Sequence, residues 1–245
     1  MNQPELLVQI DGVSKRFQSA GGAVQAVNDV SVAVRAGEMV ALVGPTGSGK
    51  TTLLSLMAGL EEPDAGAITL LGRRLDELNA DRVTDLRSQA VGFVYQRFNL
   101  FPGFTVRENV GLPLRLMLRP PFDAHQRSGQ ILTDLGLDEL AARYPGELST
   151  GQQQLAAIAR ALAANPPLIL ADEPTANLDT NTARQIMARL RALADEGQHG
   201  VVIATHDLRM ASQADRVLNL RDGVLVKETV MQLGRPTREV LAELM

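Results

Sequence analysis

A lysine, two neighbouring hydroxyls and a set of glycines are the first residues that could do chemistry. In GPTGSGKTT, residues 44–52, Gly44 is followed after four positions by Gly49-Lys50-Thr51. Glycines at that spacing let successive backbone N–H groups turn inward onto phosphate oxygens, and a helix starting just beyond adds its positive end. Lys50 is placed to reach β- and γ-phosphates, and the Thr51 hydroxyl to ligate Mg²⁺. Pro45, Thr46, Gly47, Ser48 and Thr52 complete the cradle. The alternative is a chance glycine turn. Against it, the chain has only three lysines, Lys15, Lys50 and Lys227, and one of them sits inside this loop.

Two acids, a histidine and a glutamine supply the rest of a hydrolytic centre. LILADEP delivers Asp172 to the end of an apolar run, with Glu173 one residue on. Asp172 is expected to hold Mg²⁺ through water, and Glu173 to polarise the attacking water as general base. Alone, two acids ending a strand say little; behind a phosphate loop they read as catalytic. His206 ends VVIATHD. A lone histidine after a strand is more often structural, but at the same sheet edge as Asp172 it reads as a γ-phosphate sensor. Gln96 ends VGFVYQ in the same way, and its neutral amide can touch Mg²⁺ or the lytic water without altering the charge balance.

A second anion site follows in LSTGQQQLAAIARALAANPP. A helix starts at Ser149 and stops before Pro166-Pro167. The plain reading is an N-cap serine. Yet Ser149, Thr150, Gly151 and Gln152 also leave a hydroxyl, open amides and a helix N-terminus facing outward. One catalytic centre has no use for two cradles.

These residues need elements to hold them. LVQIDGV and VSVAVR alternate apolar and polar at period two around Gly21-Gly22, which predicts antiparallel strands near the N-terminus. EMVALVG, the glycine loop and KTTLLSLMAGL read as strand, loop and helix. VGFVY, LILAD and GVVIAT are further buried strands, and between them TARQIMARLRALADEG places Ile186, Leu190, Leu193 and Ala194 on one helical face. Alternating strands and helices predict a parallel sheet covered on both faces. From about residue 105 to 165 strand signals vanish and helical segments broken by Arg119-Pro120-Pro121 and Tyr144-Pro145-Gly146 replace them, so an inserted helical subdomain is expected.

Composition narrows the class. The 245 residues are 45% hydrophobic and 21% charged with net charge −4, so a sizeable core is available and no nucleic-acid surface is indicated. Without cysteine, disulfide-stapled secretion and thiolate metal sites are excluded. MNQPELLVQIDG has no basic start before an apolar run, so no signal peptide is expected, and no apolar stretch is long enough to span a bilayer.

GPTGSGKTT, Gln96, LSTGQQQ, LILADEPTANLD and THD, in this order, resemble the nucleotide-binding subunit of an ATP-binding cassette (ABC) transporter, over about residues 7–223. The resemblance implies an α/β fold: a P-loop NTPase core with a mixed, mostly parallel sheet, an N-terminal antiparallel β subdomain and an inserted α-helical subdomain. It implies one domain over residues 1–245, with 1–96 and 166–245 as nucleotide-binding core and 97–165 as the helical subdomain. ATP and Mg²⁺ are the implied cofactors. In the family two subunits meet head to tail, so Ser149, Gly151 and Gln152 are expected to cap the ATP held by a second copy, and Asp179 to make contact across the dimer. Phe17, in KRF, matches the place of an adenine-stacking aromatic; its alternative is an ordinary core-facing strand residue. Two departures occur: Thr150 stands where glycine is usual and Leu155 where arginine is common. A β-branched residue beside the phosphate is expected to slow closure without abolishing activity.

A finer resemblance, in VGFVYQRFNLFPGFTVRENVGLPL and ILADEPTANLDTNT, is to the ATPases of lipoprotein-release, macrolide-export and cell-division machines. It implies an integral membrane permease partner, contacted near Gln96 and Phe98–Phe104, and a peripheral place on the cytoplasmic face of the inner membrane. Residues 93–104 hold four of the six phenylalanines, Phe93, Phe98, Phe101 and Phe104; Phe93 is expected in the core and the others either there or in an apolar groove for the partner. The other class considered is a regulatory, non-transport ATPase of a cell-division type complex. DNA-repair and translation relatives are disfavoured because long coiled coils, zinc-binding cysteines and a second cassette are lacking. A guanine-reading NKxD, which would mark a GTPase, is also missing.

Overall fold

The structure, a computed structural model, describes residues 4–19, 22–176 and 178–231. Strands β1 (Leu6–Ser19) and β2 (Gly22–Arg35) pair antiparallel, and Gly21 of the expected turn lies outside the described residues. β4 (Ala65–Leu70) and the short β5 (Arg73–Arg74) extend this into a four-stranded sheet ordered β2-β1-β4-β5.

The second sheet has six strands. Its centre is β3 (Met39–Val43), β8 (Gly200–Thr205), β7 (Leu168–Asp172) and β6 (Val91–Val94), all parallel, with β9 (Arg216–Arg221) parallel to β3 on the other side. Only β10 (Val224–Val230), at the edge, runs antiparallel. Its reversal is made by Asp222-Gly223, both at positive φ (50° and 78°), the conformation a two-residue hairpin turn demands. The sheet is therefore mixed and mostly parallel.

Alternation along each central strand feeds two cores. Val40, Leu42, Leu168, Leu170, Val202 and Ala204 point to one, shared with the four-stranded sheet and with α1 (Lys50–Met57). Met39, Ala41, Ile169, Ala171, Val201 and Ile203 point to the other, covered by Ile186, Met187 and Leu190 of α6 (Thr180–Asp195) and by Met210 of α7 (Leu208–Ala211). Each Val, Leu, Ile or Met among them, taken from water to low exposure, stabilises the fold by about 1.5–3 kcal/mol before entropy is counted. This double burial is why the strands read as continuous apolar runs.

Between β4 and β6 lies α2 (Ala80–Ala90), and between β6 and β7 lie α3 (Val106–Leu116), α4 (Ala124–Asp134) and α5 (Thr150–Ala161). The last three build their own apolar cluster from Val110, Leu114, Ile131, Leu132, Ala156 and Ala159. Leu155 and Leu162 touch this cluster and that of the sheet, so the departure at Leu155 fills the seam between them.

Candidate active site

The glycine loop runs from the end of β3 to the start of α1, and its surroundings leave no space for a Cβ at two points. A Cβ on Gly44 would lie 2.1 Å from the Leu220 carbonyl oxygen, and one on Gly49 (φ 102°) 2.1 Å from that of Ala26. Gly47, at φ 82°, has open space around it; its glycine is there for conformation alone. The β9–β10 turn braces the loop, because Gly223 N–H donates to the Ser48 carbonyl at 3.0 Å while its own carbonyl accepts from Asn28 N–H at 2.8 Å. Ser48 Oγ is buried with no hydrogen-bond partner. Lys50 is buried as well, and its ammonium donates to the Gly44 and Pro45 carbonyls at 2.8 and 3.0 Å. Pro45, Thr46 and Gly47 are exposed at the loop's crest, and Thr52 is half-buried on α1.

Asp172 ends β7 directly beside this loop: the Thr51 hydroxyl donates to its Oδ2 at 2.8 Å. Burial raises its pKa, with the neighbouring Glu173 adding to the rise and the Thr51 hydrogen bond and Lys50 opposing it. Because Asp172 pairs in register with Ala204, the next residues on both strands emerge together. Glu173 N–H donates to the Ala204 carbonyl at 2.9 Å, and Glu173 takes a left-handed conformation (φ 46°), unusual for a residue with a Cβ. Its carboxylate is 13% exposed and accepts from His206 Nδ1 at 2.9 and 3.0 Å. A carboxylate only accepts here, so the proton of this contact sits on Nδ1, and the His206 side chain is 68% exposed. Lys50, Thr51, Asp172, Glu173 and His206 are thus assembled at the carboxyl ends of the parallel strands, the place where open α/β sheets bind ligands.

The other sequence candidates lie elsewhere. Ser149 is the N-cap of α5; its Oγ accepts from Gln152 N–H at 3.3 Å, and its own N–H donates to Gln152 Oε1 at 2.9 Å. Thr150 is exposed. A Cβ on Gly151 would stand 2.7 Å from Cγ2 of Thr182, and Thr182 Oγ1 donates to Asp179 Oδ2 at 2.6 Å. Asp179 caps α6, and those hydrogen bonds lower its pKa. Ser149, Gly151 and Asp179 therefore share one surface. Among the described residues no hydrogen bond joins that surface to Lys50, Asp172 or Glu173. Gln96 is exposed in the turn after β6, likewise with no hydrogen bond to Thr51 or Asp172. Phe17 is 38% exposed rather than in the core; it pairs with Val24 and lies under the Lys15 ammonium at 5.4 Å. That strand pair stands two residues from Ala26, which abuts Gly49.

Two residues of this scaffold were not expected from the sequence. Asn109, fully buried on α3, donates to the Phe101, Phe104 and Thr105 carbonyls at 3.0–3.1 Å and accepts from Phe101 N–H at 2.8 Å. It presents the Phe101 and Phe104 rings, 5.7 Å apart, at the surface, while Phe98 is half-buried and Phe93 packs on the sheet core. Arg160 on α5 donates to the Phe98 and Asn99 carbonyls just beyond Gln96. The only sequence signal for either was a polar residue on an apolar helical face.

A family model described as "ABC transporter" matches residues 27–176. The macrolide export ATP-binding/permease protein MacB 1 of Yersinia pestis bv. Antiqua is 38% identical over 91% of the chain, and this chain spans 34% of that protein's length. The dimeric cassette MJ0796, in a post-hydrolysis state bound to ADP and Pi, has a TM-score of 0.85 at 37% identity, covering 92% of this chain and 99% of that one. CbiO1 of Clostridium perfringens, part of the complex cbiONQ, has a TM-score of 0.81 at 26% identity, covering 98% and 92%.

Proposed function

The chain belongs to the ABC transporter family and is an ABC-type ATPase, and from that premise we propose that two copies assemble head to tail, each completing its neighbour's nucleotide site. One observation carries this reading. Within a single chain the hydrolytic group of Lys50, Thr51, Asp172, Glu173 and His206 is assembled, while the Ser149–Gly151–Asp179 surface stands apart from it. A second copy supplies what the first cannot reach.

The loop amides of residues 44–52 cradle the phosphates of ATP, with Lys50 exchanging the Gly44 and Pro45 carbonyls for phosphate oxygens and the orphaned Ser48 hydroxyl gaining a partner. The donor set suits Mg²⁺: the hydroxyl of Thr51 and carboxylate of Asp172 are hard oxygens 2.8 Å apart, with the Gln96 amide on a neighbouring turn. When bound there, Mg²⁺ neutralises phosphate charge. Glu173 accepts the proton of the attacking water, and His206 fixes the orientation of its carboxylate. From the other copy come the Ser149 hydroxyl, the Gly151 amide, Gln152 and Asp179. Phe17 offers its exposed face to adenine.

Residues 97–165 act as a helical subdomain on a core of 1–96 and 166–245, meeting it through Leu155 and Leu162. The surface beyond Gln96, with Phe101 50% and Phe104 39% exposed, docks an integral membrane permease. No helix among the described residues is long and apolar enough to cross a membrane. The proposed place is the cytoplasmic face of the inner membrane, beside that partner. Export or release driven by this ATPase is the process proposed.

The test is Glu173→Gln in saturating Mg-ATP, followed by light scattering. Hydrolysis stops and a nucleotide-retaining dimer accumulates; a variant that stays monomeric overturns the head-to-tail reading.

A further inference from the structure

Arg160 sits at the opposite end of α5 from Ser149, about 16 Å along the helix at 1.5 Å per residue. Arg160 is 9% exposed, and its guanidinium donates to the Asn99 carbonyl at 2.6 Å and to the Phe98 carbonyl at 3.0 Å. Both acceptors belong to a turn with left-handed backbone, Phe98 at φ 46° and Asn99 at φ 54°. Asparagine tolerates that conformation; phenylalanine keeps it only where its surroundings hold it there. Among the described residues no ion pair is recorded for Arg160, and burial lowers its pKa, so these two carbonyls carry the compensation for a desolvated cation.

A buried cation committed to the backbone of one turn is a poor space-filler, because an aliphatic side chain packs there without a desolvation penalty. What the fork adds is geometry: two donors on two successive carbonyls fix both position and orientation. Phe98 follows Gln96 by two residues, on the same turn after β6. We propose that Arg160 is a positioning residue that ties the Phe98–Asn99 backbone to α5 and so sets where Gln96 stands relative to the hydrolytic centre. This rests on the role proposed above for Gln96.

The tether is tested in the full chain with Arg160→Met, which keeps the aliphatic stem, and Arg160→Lys, which keeps charge but loses the fork, each alone and combined with Gln96→Ala. Misplacing a reacting group by roughly 1 Å costs up to about a hundredfold in rate, so Arg160→Met is expected to lower kcat about ten- to a hundredfold. Its Kd for ATP stays within about threefold of wild type because the glycine loop is untouched. Arg160→Lys recovers part of the rate. The double variant is no slower than Gln96→Ala alone, since both changes remove one effect. Should Arg160→Met fail to fold, the lysine variant and its double carry the same comparison. A kcat near wild type in the Arg160 variants, or losses that multiply with that of Gln96→Ala, overturns the tether alone. A wild-type rate for Gln96→Ala removes the role of Gln96 and the tether together.

Discussion

Nδ1 of His206 lies 2.9 and 3.0 Å from the two carboxylate oxygens of Glu173, bridging the ends of two adjacent strands. The contact orients the carboxylate whose left-handed backbone already sets it apart from Asp172. His206→Ala removes that orientation while leaving Lys50 and Thr51 untouched. Its kcat is expected to fall by about 10² or more, with ATP affinity kept within about threefold. Steady-state rates beside direct nucleotide binding check this; a parallel loss of affinity would mean that His206 serves binding instead.

Asp172 gives a stability prediction with a definite pH sense. Burial raises its pKa above the ordinary 3.8, so the folded chain holds that proton more tightly than the unfolded chain. The associated stability is fully present below the unfolded value and is lost as pH rises through the folded one. At neutral pH the ionised Asp172 is therefore a burden on the nucleotide-free protein. Asp172→Asn, which can still accept from Thr51, is expected to raise Tm at neutral pH, and the gain should shrink as pH falls through the raised value of Asp172. The same variant loses Mg-ATP stabilisation. Thermal melts across pH, with and without Mg-ATP, measure both; a lower Tm at neutral pH contradicts it.

The glycines of the loop are predicted to be unequal. Gly49→Ala drives a Cβ to 2.1 Å from the Ala26 carbonyl at φ 102°, so backbone must move and about 3 kcal/mol or more of stability is lost. Gly47→Ala meets no atom within 4 Å and bears only the conformational strain, about 1–2 kcal/mol. Denaturant titration of both variants ranks them.

These contrasts mark where sequence stops being informative. The strand, loop and helix around Gly44, Gly49, Lys50 and Thr51 were legible because glycines at fixed spacing follow an apolar run within one short segment. Asp172, Glu173 and His206 were legible because each follows an apolar run, and strand ends in a parallel sheet share an edge. β4, β9 and β10 were missed, although Asp222-Gly223 is a hairpin signal that would have located the last two. Arg160 could not be assigned from local pattern, since its acceptors lie about sixty residues earlier in the chain. The neighbourhood of Gly151, Thr182 and Asp179 is likewise a product of helix packing that no single segment encodes.

The central claim is that each nucleotide site draws on two copies. Mixing two inactive variants tests it most directly. Lys50→Ala removes the phosphate lysine, and Ser149→Phe blocks the surface offered to the partner. In a mixed dimer both defects fall in one site, and the other site, with Lys50 from one copy and Ser149 from its partner, is intact. An equimolar mixture forms about half mixed dimers, so about a quarter of all sites are whole, and ATPase activity should return towards that fraction of wild type. No recovery on mixing, with both variants folded and able to dimerise, would contradict the shared site.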